Sequence, residues 1–277
     1  METYCCLTVL VSSAEQSDEL VAYLDEMGFE GFEQLPDQLK AYRPEDGAWP
    51  EKIVVDYLQE RSFSYSLDLL EKTNWNQLWE SYFDPVVVDD FVGIRAHFHP
   101  TLTGVQHELV ITPMMSFGTG HHATTRLMVQ QLRGLIRPGD RVLDFGTGTG
   151  VLAILAQKLG AGEVVGIDIE DWSIENAREN AGVNLVSDIT FLIGDRIEVE
   201  GPFDKILANI NRNILIEHMP SLRSSLAPAG VLLLSGVLTA DLAVMDAALK
   251  SAGLIRTDLT QEKEWICIQA VHSQPNR

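Results

Sequence analysis

The sequence predicts an α/β protein in which a small α+β domain precedes a larger, doubly wound domain built on a mostly parallel sheet. From residue 126 onward, helical patterns alternate with continuous apolar runs, which are typical of parallel strands buried on both faces. One of these runs ends in a glycine-rich turn that leads directly into a helix. The first third of the chain instead shows short elements in the order βαββαβ.

The first third is expected to form a ferredoxin-like module, because its apolar residues change from strand to helix spacing in that order. In the first helix, Leu20, Leu24 and Met27 share one face, and Gly28 ends the pattern. The predicted elements are strand Tyr4–Val11, helix Ala14–Met27, strands Phe29–Gln34 and Gln38–Tyr42, helix Trp49–Glu60 and strand Ser64–Leu70.

A helical segment is predicted to join the two domains. Asn74–Phe83 places aromatic and aliphatic residues at helical spacing, and Pro85 ends the pattern. Such spacing is more typical of packing against a domain than of a ligand cage. The predicted organisation is therefore a domain over residues 1–72, a linker over 73–85 and a second domain over 86–277.

The larger domain is expected to begin with short strands and to continue as a parallel sheet. Its last predicted strand alternates in polarity, which favours an antiparallel edge. The predicted strands are Val86–Val88, Val92–Ala96, Glu108–Thr112, Arg141–Phe145, Glu163–Asp168, Thr190–Ile193, Asp204–Asn209, Val231–Ser235 and Glu264–His272.

The net charge of the chain is strongly negative and unevenly distributed. The sequence has 40 acidic and 20 basic side chains, and residues 1–85 alone hold 18 acidic against 5 basic ones. Binding to nucleic-acid phosphates or anionic membranes requires clustered Lys and Arg, so neither partner is expected. The simplest explanation of the charge is solubility.

Cysteine usage and the N-terminus predict a soluble cytosolic protein. Residues 1–12 lack the basic and long apolar regions of a signal peptide. Cys5 and Cys6 are neighbours in a predicted strand and Cys267 stands alone, so neither a disulfide framework nor a zinc spacing is present in the sequence.

The glycine-rich turn lies within Val142–Gly150, which reads VLDFGTGTG. Glycines at a strand-to-helix turn allow a ligand to approach the backbone near the positive end of the helix. The order here is D-x-G-x-G-x-G, with Asp144 before Gly146, Gly148 and Gly150, and not the G-x-G-x-x-G of dinucleotide binders. An acid at this position repels a pyrophosphate and attracts an ammonium group, which favours S-adenosylmethionine as the ligand.

Polar residues also lie at or just after the ends of the next three predicted strands. Asp168, 22 residues after Gly146, is placed to bind ribose hydroxyls, although it could instead cap the following helix. Asp195 could flank the adenine or belong to a turn. Asn209 offers an acceptor for a substrate amine and a donor for the cofactor, with a helix cap as the structural alternative.

Neither histidine pair predicts a metal site. Adjacent loop residues such as His121 and His122 cannot both face one site, and they lack a third ligand. His97 and His99 share one strand face, but no carboxylate or cysteine cluster accompanies them. No metal ligand and no clear general base are therefore predicted.

The segment Ser116–Thr125, SFGTGHHATT, resembles the FGTGxHxTT motif of the ribosomal protein L11 methyltransferases, the PrmA family. The resemblance extends over nearly the whole chain in the expected order. The other matching segments are NWNQLWESYFDP, VLDFGTGTGVLAI, GIDIEDWSIENARENAGVN, ILANI and EKEWICI.

This resemblance implies a substrate-recognition domain followed by a seven-stranded, Rossmann-like, S-adenosylmethionine-dependent methyltransferase domain. The expected activity is methylation of lysine side chains and of the N-terminal amine of ribosomal protein L11. Opposite charge between that substrate and the acidic N-terminal domain would speed their encounter. By resemblance, Thr125, Gly146, Asp168 and Asn209 contact the cofactor, and Phe117, Gly118 and Thr119 border the methyl-transfer site.

The sequence departs from the family pattern at Ala123 and at Asn211-Arg212-Asn213. Other functions remain open from the residues alone. They are methylation of another protein or of a small amine, with the N-terminal domain serving oligomerisation, and a non-catalytic module that senses the cofactor or assists ribosome assembly. A dehydrogenase is disfavoured by the glycine spacing.

Overall fold

The computed structural model describes residues 3–44, 51–71, 84–112 and 116–273. The chain divides into two compact units, residues 1–83 and residues 84–277. The predicted linker helix Asn74–Phe83 lies outside the described residues.

The N-terminal unit contains a four-stranded antiparallel sheet in the order β2-β3-β1-β4, with the element order that the sequence predicts. Two helices cover one face of it, because Leu20 and Leu24 of one helix and Leu58 of the other pack against Leu7 and Leu39 of the sheet. The elements are β1 Thr3–Leu10, α1 Ala14–Glu26, β2 Gly31–Gln34, β3 Gln38–Pro44, α2 Glu51–Glu60 and β4 Tyr65–Glu71.

The C-terminal unit opens with a small three-stranded sheet. Its strands are β5 Val86–Val88, β6 Val92–Arg95 and β7 His107–Val110. Strand β6 pairs antiparallel with β5 and parallel with β7.

The main sheet of this unit has seven strands in the order β10-β9-β8-β11-β12-β14-β13. All neighbouring pairs from β10 to β12 are parallel, and β14 runs antiparallel to both of its neighbours. The elements are α3 Ala123–Leu135, β8 Arg141–Phe145, α4 Val151–Lys158, β9 Glu163–Asp168, α5 Asp171–Val183, β10 Ile189–Ile193, β11 Phe203–Asn209, α6 Arg212–Ser225, β12 Leu226–Leu238, a 3₁₀ turn Thr239–Asp241, α7 Leu242–Ser251, β13 Leu254–Glu262 and β14 Trp265–His272.

Both faces of this sheet are buried, which explains the continuous apolar runs of its strands. Val142 and Leu207 point toward the face covered by α3, α4 and α5. Their neighbours Leu143 and Ile206 point toward the face covered by α6 and α7. The doubly wound, mostly parallel architecture predicted from the sequence is therefore confirmed.

The sequence patterns missed β13 and part of β12. Strand β13 lies at the edge of the sheet, and most of its side chains are polar and only one is buried, so it has no apolar alternation to detect. Strand β12 extends on both sides of the predicted Val231–Ser235. Its first part carries Pro228 and Gly230, and pairing there is interrupted by a register shift.

The strand order reverses next to β8, since the chain continues to β9 on one side and later places β11 on the other. Open α/β sheets bind ligands at the carboxyl ends of strands at this reversal point. Over the described parts of the chain, no helix combines the length and apolar character needed to cross a bilayer.

Candidate active site

A cavity of about 690 Å³ opens at the carboxyl ends of β8, β9 and β11. Six of the residues predicted for the site line it, and five others do not. The lining residues are Phe117, Gly146, Gly148, Asp168, Asp195 and Asn209.

Two glycines of the turn after β8 shape the cavity floor. Gly146 and Gly148 have φ values of +77° and +53°. A Cβ on Gly146 would lie 2.2 Å from Cγ2 of Ile210, and one on Gly148 would lie 2.3 Å from the carbonyl oxygen of Phe117. Both positions therefore require glycine. Gly150 does not line the cavity, and a Cβ there would lie 3.0 Å from Cβ of Ala177, so this glycine allows helix packing.

Asp168 joins the glycine turn to the next strand end. Its Oδ2 accepts a hydrogen bond from the Gly148 amide at 2.8 Å, and its Oδ1 accepts one from the Glu170 amide at 3.1 Å. Helix α5 begins at Asp171 with Glu170 at its N-cap position, so Asp168 is not the cap. Each oxygen retains a lone pair, which leaves acceptor capacity for ligand hydroxyls.

Asn209 lines the cavity and carries a buried acceptor. Its side chain is 9% exposed, and its Nδ2 donates to Oγ1 of Thr125 at 3.4 Å. Its Oδ1 has no hydrogen-bond partner among the described residues. The helix-cap role belongs to Asn211, which accepts from the Ile214 amide at 3.2 Å. A buried acceptor left unpaired is costly, and a ligand donor would satisfy it.

Thr125 is fully buried and does not line the cavity, so its visible role is to hold Asn209. The polar run after Asn209 also has a structural explanation. Asn211 caps α6, and Arg212 forms an ion pair with Asp241 at 2.5 Å. Ala123 is simply the first residue of α3.

Asp144 lies beneath the glycine turn and does not line the cavity. It is 1% exposed, and its Oδ2 accepts from the Thr147 hydroxyl at 2.7 Å and from the Ala153 amide at 3.2 Å. Burial, with a smaller contribution from the charge of Asp168, raises the pKa of Asp144 to about 7. Asp144 therefore ties the turn to the first helical turn of α4, rather than facing the cavity as the sequence suggested.

The loop before α3 contributes the ring of Phe117 and two backbone carbonyl groups that accept hydrogen bonds from Thr149. Phe117 is 54% exposed and lines the cavity, and its carbonyl accepts from the Thr149 amide at 2.9 Å. The Gly118 carbonyl accepts from the Thr149 hydroxyl at 2.9 Å. Gly118 and Thr119 do not line the cavity; Oγ1 of Thr119 lies 3.1 Å from Nδ1 of His121.

The two adjacent histidines face different surroundings. His121 places Nε2 2.8 Å from the Asp84 carbonyl, away from the cavity. His122 lines the cavity and caps α3, with Nδ1 accepting from the Thr124 amide at 3.3 Å. Burial, and then the charge of Arg126, lower the pKa of His122, so its ring is neutral at pH 7.

The charged side chains that line the cavity are all acidic. Among the described residues there, Asp168, Glu170, Asp195 and Glu217 are carboxylates, and no Lys or Arg is present. Asp195 is exposed and lies 3.9 Å from Nε of Arg196, which does not line the cavity. Such a lining favours a cationic ligand and disfavours a pyrophosphate.

Sequence analysis missed several lining residues, including Trp172, Trp265, Glu170 and Glu217. Trp172 and Glu170 lie just after Asp168, so proximity to a strand end was a usable signal. Trp265 belongs to the EKEWICI segment, which was noted for its resemblance alone. Its position depends on β14 pairing with β12, which no local pattern predicts.

The fold and this cavity define a class I, S-adenosylmethionine-dependent methyltransferase. The unpaired Oδ1 of Asn209, the glycine turn and the acidic lining fit a cofactor that carries both an ammonium and a sulfonium group.

Comparisons with known proteins identify the family. The family model for ribosomal protein L11 methyltransferase (PrmA) matches residues 3–273, and the chain belongs to this family. A ribosomal protein L11 methyltransferase of Porphyromonas gingivalis is 42% identical over 267 residues, covering 94% of this chain and 92% of that protein. One from Chlorobaculum tepidum is 38% identical over 258 residues, covering 89% of each chain. The crystal structure of a ribosomal protein L11 methylase from Lactobacillus delbrueckii subsp. bulgaricus is 30% identical with a TM-score of 0.63, covering 69% of this chain and 100% of that one.

Proposed function

We propose that this chain transfers methyl groups from S-adenosylmethionine to amines of ribosomal protein L11, namely lysine side chains and the N-terminal α-amine. The observation that carries the proposal is the buried Oδ1 of Asn209, which has no partner among the described residues, in a cavity whose described charged lining residues are all acidic. The names of the relatives support ribosomal protein L11 as the substrate.

Four residues of the cavity are assigned to cofactor binding. When bound, S-adenosylmethionine supplies an electrophilic methyl group on a sulfonium. Asp168 accepts hydrogen bonds from the ribose hydroxyls, and the backbone of Gly146 and Gly148 allows close approach of the methionine part. Asp195 flanks the adenine at the exposed end.

On the substrate side, Asn209 orients the reacting amine. Its Oδ1 accepts a hydrogen bond from an amine N–H, which turns the nitrogen lone pair toward the methyl group. Thr125 fixes the amide through the 3.4 Å contact with Nδ2. The acidic lining attracts the protonated amine, and burial beside a cationic sulfonium favours its neutral, nucleophilic form. The loop containing Phe117, Gly118 and Thr119 borders the transfer site.

The two parts of the chain are assigned different roles. Residues 1–72 recognise the protein substrate, 73–85 form the linker, and 86–277 carry out the transfer. The excess of acidic residues in the first part supports recognition of a lysine-bearing partner, since opposite charges accelerate encounter. All three cysteines are buried, which is typical of reduced thiols and supports a cytoplasmic location.

The direct test is the intact mass of ribosomal protein L11 after incubation with the enzyme and S-adenosylmethionine. We expect mass gains in steps of one methyl group. Asn209→Ala should lower kcat/KM about 10²-fold, because it removes the acceptor that orients the amine. Asn213→Ala is the matched control, since Asn213 is exposed and does not line the cavity.

The other outcomes separate the competing functions. Labelled small amines with unmodified protein would point to a small-molecule methyltransferase. Cofactor binding without any methyl transfer would point to a non-catalytic module. Equal rates for the Asn209 and Asn213 variants would refute the assigned role of Asn209.

A further inference from the structure

The ring of His122 contacts two other rings that line the cavity, each edge to face. The ring centroid of His122 lies 5.4 Å from that of Phe117 and 4.6 Å from that of Trp265, with interplanar angles of 61° and 70°. All three residues line the cavity. They come from the loop before α3, the cap of α3 and the first residue of β14. We refer to Phe117, His122 and Trp265 as the aromatic wall.

An ion pair, here called the brace, connects the elements that carry two of these rings. The Arg126 guanidinium binds Glu262, with Nε 3.1 Å from Oε1, and also donates to the His121 carbonyl. Glu262 is the register partner of Trp265 across the β13–β14 hairpin. The brace therefore connects the helix that His122 caps with the hairpin that carries Trp265, so the rings are positioned before a substrate arrives.

The wall is uncharged although it contains a histidine. Nδ1 of His122 accepts from the Thr124 amide and lies 2.8 Å from the Thr124 hydroxyl, so the single proton of the neutral ring is on Nε2. Burial lowers the pKa of this ring, which keeps it neutral. The same cavity is also lined by carboxylates, with no Lys or Arg among the described lining residues. The carboxylates attract cations in general, and the neutral rings can attract a cation that has no hydrogen-bond donor.

We propose that the aromatic wall receives the methylated ammonium groups formed on the substrate, and that it thereby determines how many methyl groups each amine acquires. This inference rests on the proposed function, because it concerns the products of that reaction. It assigns Phe117, His122 and Trp265 as specificity-determining residues.

The chemistry of successive transfers explains why a wall of rings is needed. Each transfer forms an N–C bond and breaks the S–CH₃ bond, whose electron pair stays on sulfur. The product ammonium releases a proton to solvent before the next transfer, so its hydrogen-bond donors decrease from one step to the next. Asn209 alone therefore holds the substrate less well after each methylation. Aromatic faces attract a methylated ammonium without any N–H, so they offset this loss.

The test compares product distributions on ribosomal protein L11 at equal total methyl transfer, measured by intact mass. Trp265→Ala should lower the ratio of trimethylated to monomethylated product about fivefold to tenfold, and Trp265→Phe should largely restore it. Phe117→Ala, at a half-exposed position, should shift the ratio in the same direction and guards against misfolding of the Trp265 variant. Trp172→Ala alters a tryptophan elsewhere in the cavity, and it should leave the ratio unchanged.

A binding measurement tests the wall without turnover. Saturation-transfer NMR with tetramethylammonium should give a signal with the wild-type protein that weakens in Trp265→Ala, and tert-butanol, a neutral molecule of similar shape, should give a weak signal with both. Equal tetramethylammonium signals in the two proteins, or an unchanged product ratio in both the Trp265→Ala and Phe117→Ala variants, would overturn the inference. Absence of any mass gain with the wild-type enzyme would instead refute the proposed function. The NMR result would then still show whether the aromatic wall binds a methylated ammonium ion.

Discussion

Replacing Gly148 by alanine tests the construction of the cavity floor most directly. The residue has a φ of +53°, and a Cβ there would lie 2.3 Å from the Phe117 carbonyl oxygen. To reach an ordinary contact distance, the loop must move by roughly 1 Å. That movement would break the hydrogen bond from the Thr149 amide to Phe117, which is 2.9 Å long in the native protein.

The loss of stability has two parts, the unfavourable backbone conformation and the broken hydrogen bond. The left-handed conformation costs alanine about 1 kcal/mol, and the lost hydrogen bond costs about 1 kcal/mol more. The melting temperature should therefore fall by roughly 4–8 °C. Because a misplacement of about 1 Å at an active site costs about 10²-fold in rate, kcat/KM should fall by that order.

Calorimetry of S-adenosylmethionine binding and thermal denaturation are the assays, and Gly182→Ala is the matched control. Gly182 lies in α5, and a Cβ there would meet nothing within 4 Å, so alanine should stabilise the protein by up to about 1 kcal/mol. If Gly148→Ala retained both the cofactor affinity and the melting temperature of Gly182→Ala, the role assigned to the close approach of Phe117 would be wrong.

Two further predictions concern charge. Burial raises the pKa of Asp144 to about 7, so between about pH 4 and pH 7 the folded protein binds one proton that the unfolded chain has released. The contribution of Asp144 to the free energy of unfolding is therefore lost as the pH rises through that window. The melting temperature of the wild type should therefore fall relative to that of Asp144→Asn between pH 5 and pH 8, whereas parallel curves would contradict the assignment. The rate of association with ribosomal protein L11, measured by stopped-flow fluorescence, should fall as salt is added, because 18 acidic side chains lie within residues 1–85. A rate that does not depend on salt would mean that this charge serves solubility alone.

Much of the fold could be predicted because local patterns report burial directly. Strands β8 and β9 have the predicted bounds, since both are buried on both faces and end in a polar residue or a glycine turn. The edge strand β13 could not be predicted, because its exposed side chains carry no such pattern.

The residues of the site also differ in how well the sequence predicted their positions. Asp168 and Asn209 are the last residues of predicted strands, and Gly146 and Gly148 directly follow another. All four line the cavity because parallel strands bring their carboxyl ends to one edge. Asp144 was expected to face the ligand from its place before the glycines. Its side chain points beneath the turn instead, because residues alternate between the two faces of the strand.

The sequence by itself determined the family, the strand ends that line the cavity and the acidic character of the first third, because each is carried by contiguous residues. Only the tertiary structure showed three properties of the described residues: the charged ones that line the cavity are all acidic, Oδ1 of Asn209 has no partner among them, and the ring of Trp265 contacts that of His122. The physical reason is that these properties depend on side chains far apart in the chain. The order of strands in the sheet and the face on which each side chain lies bring them together.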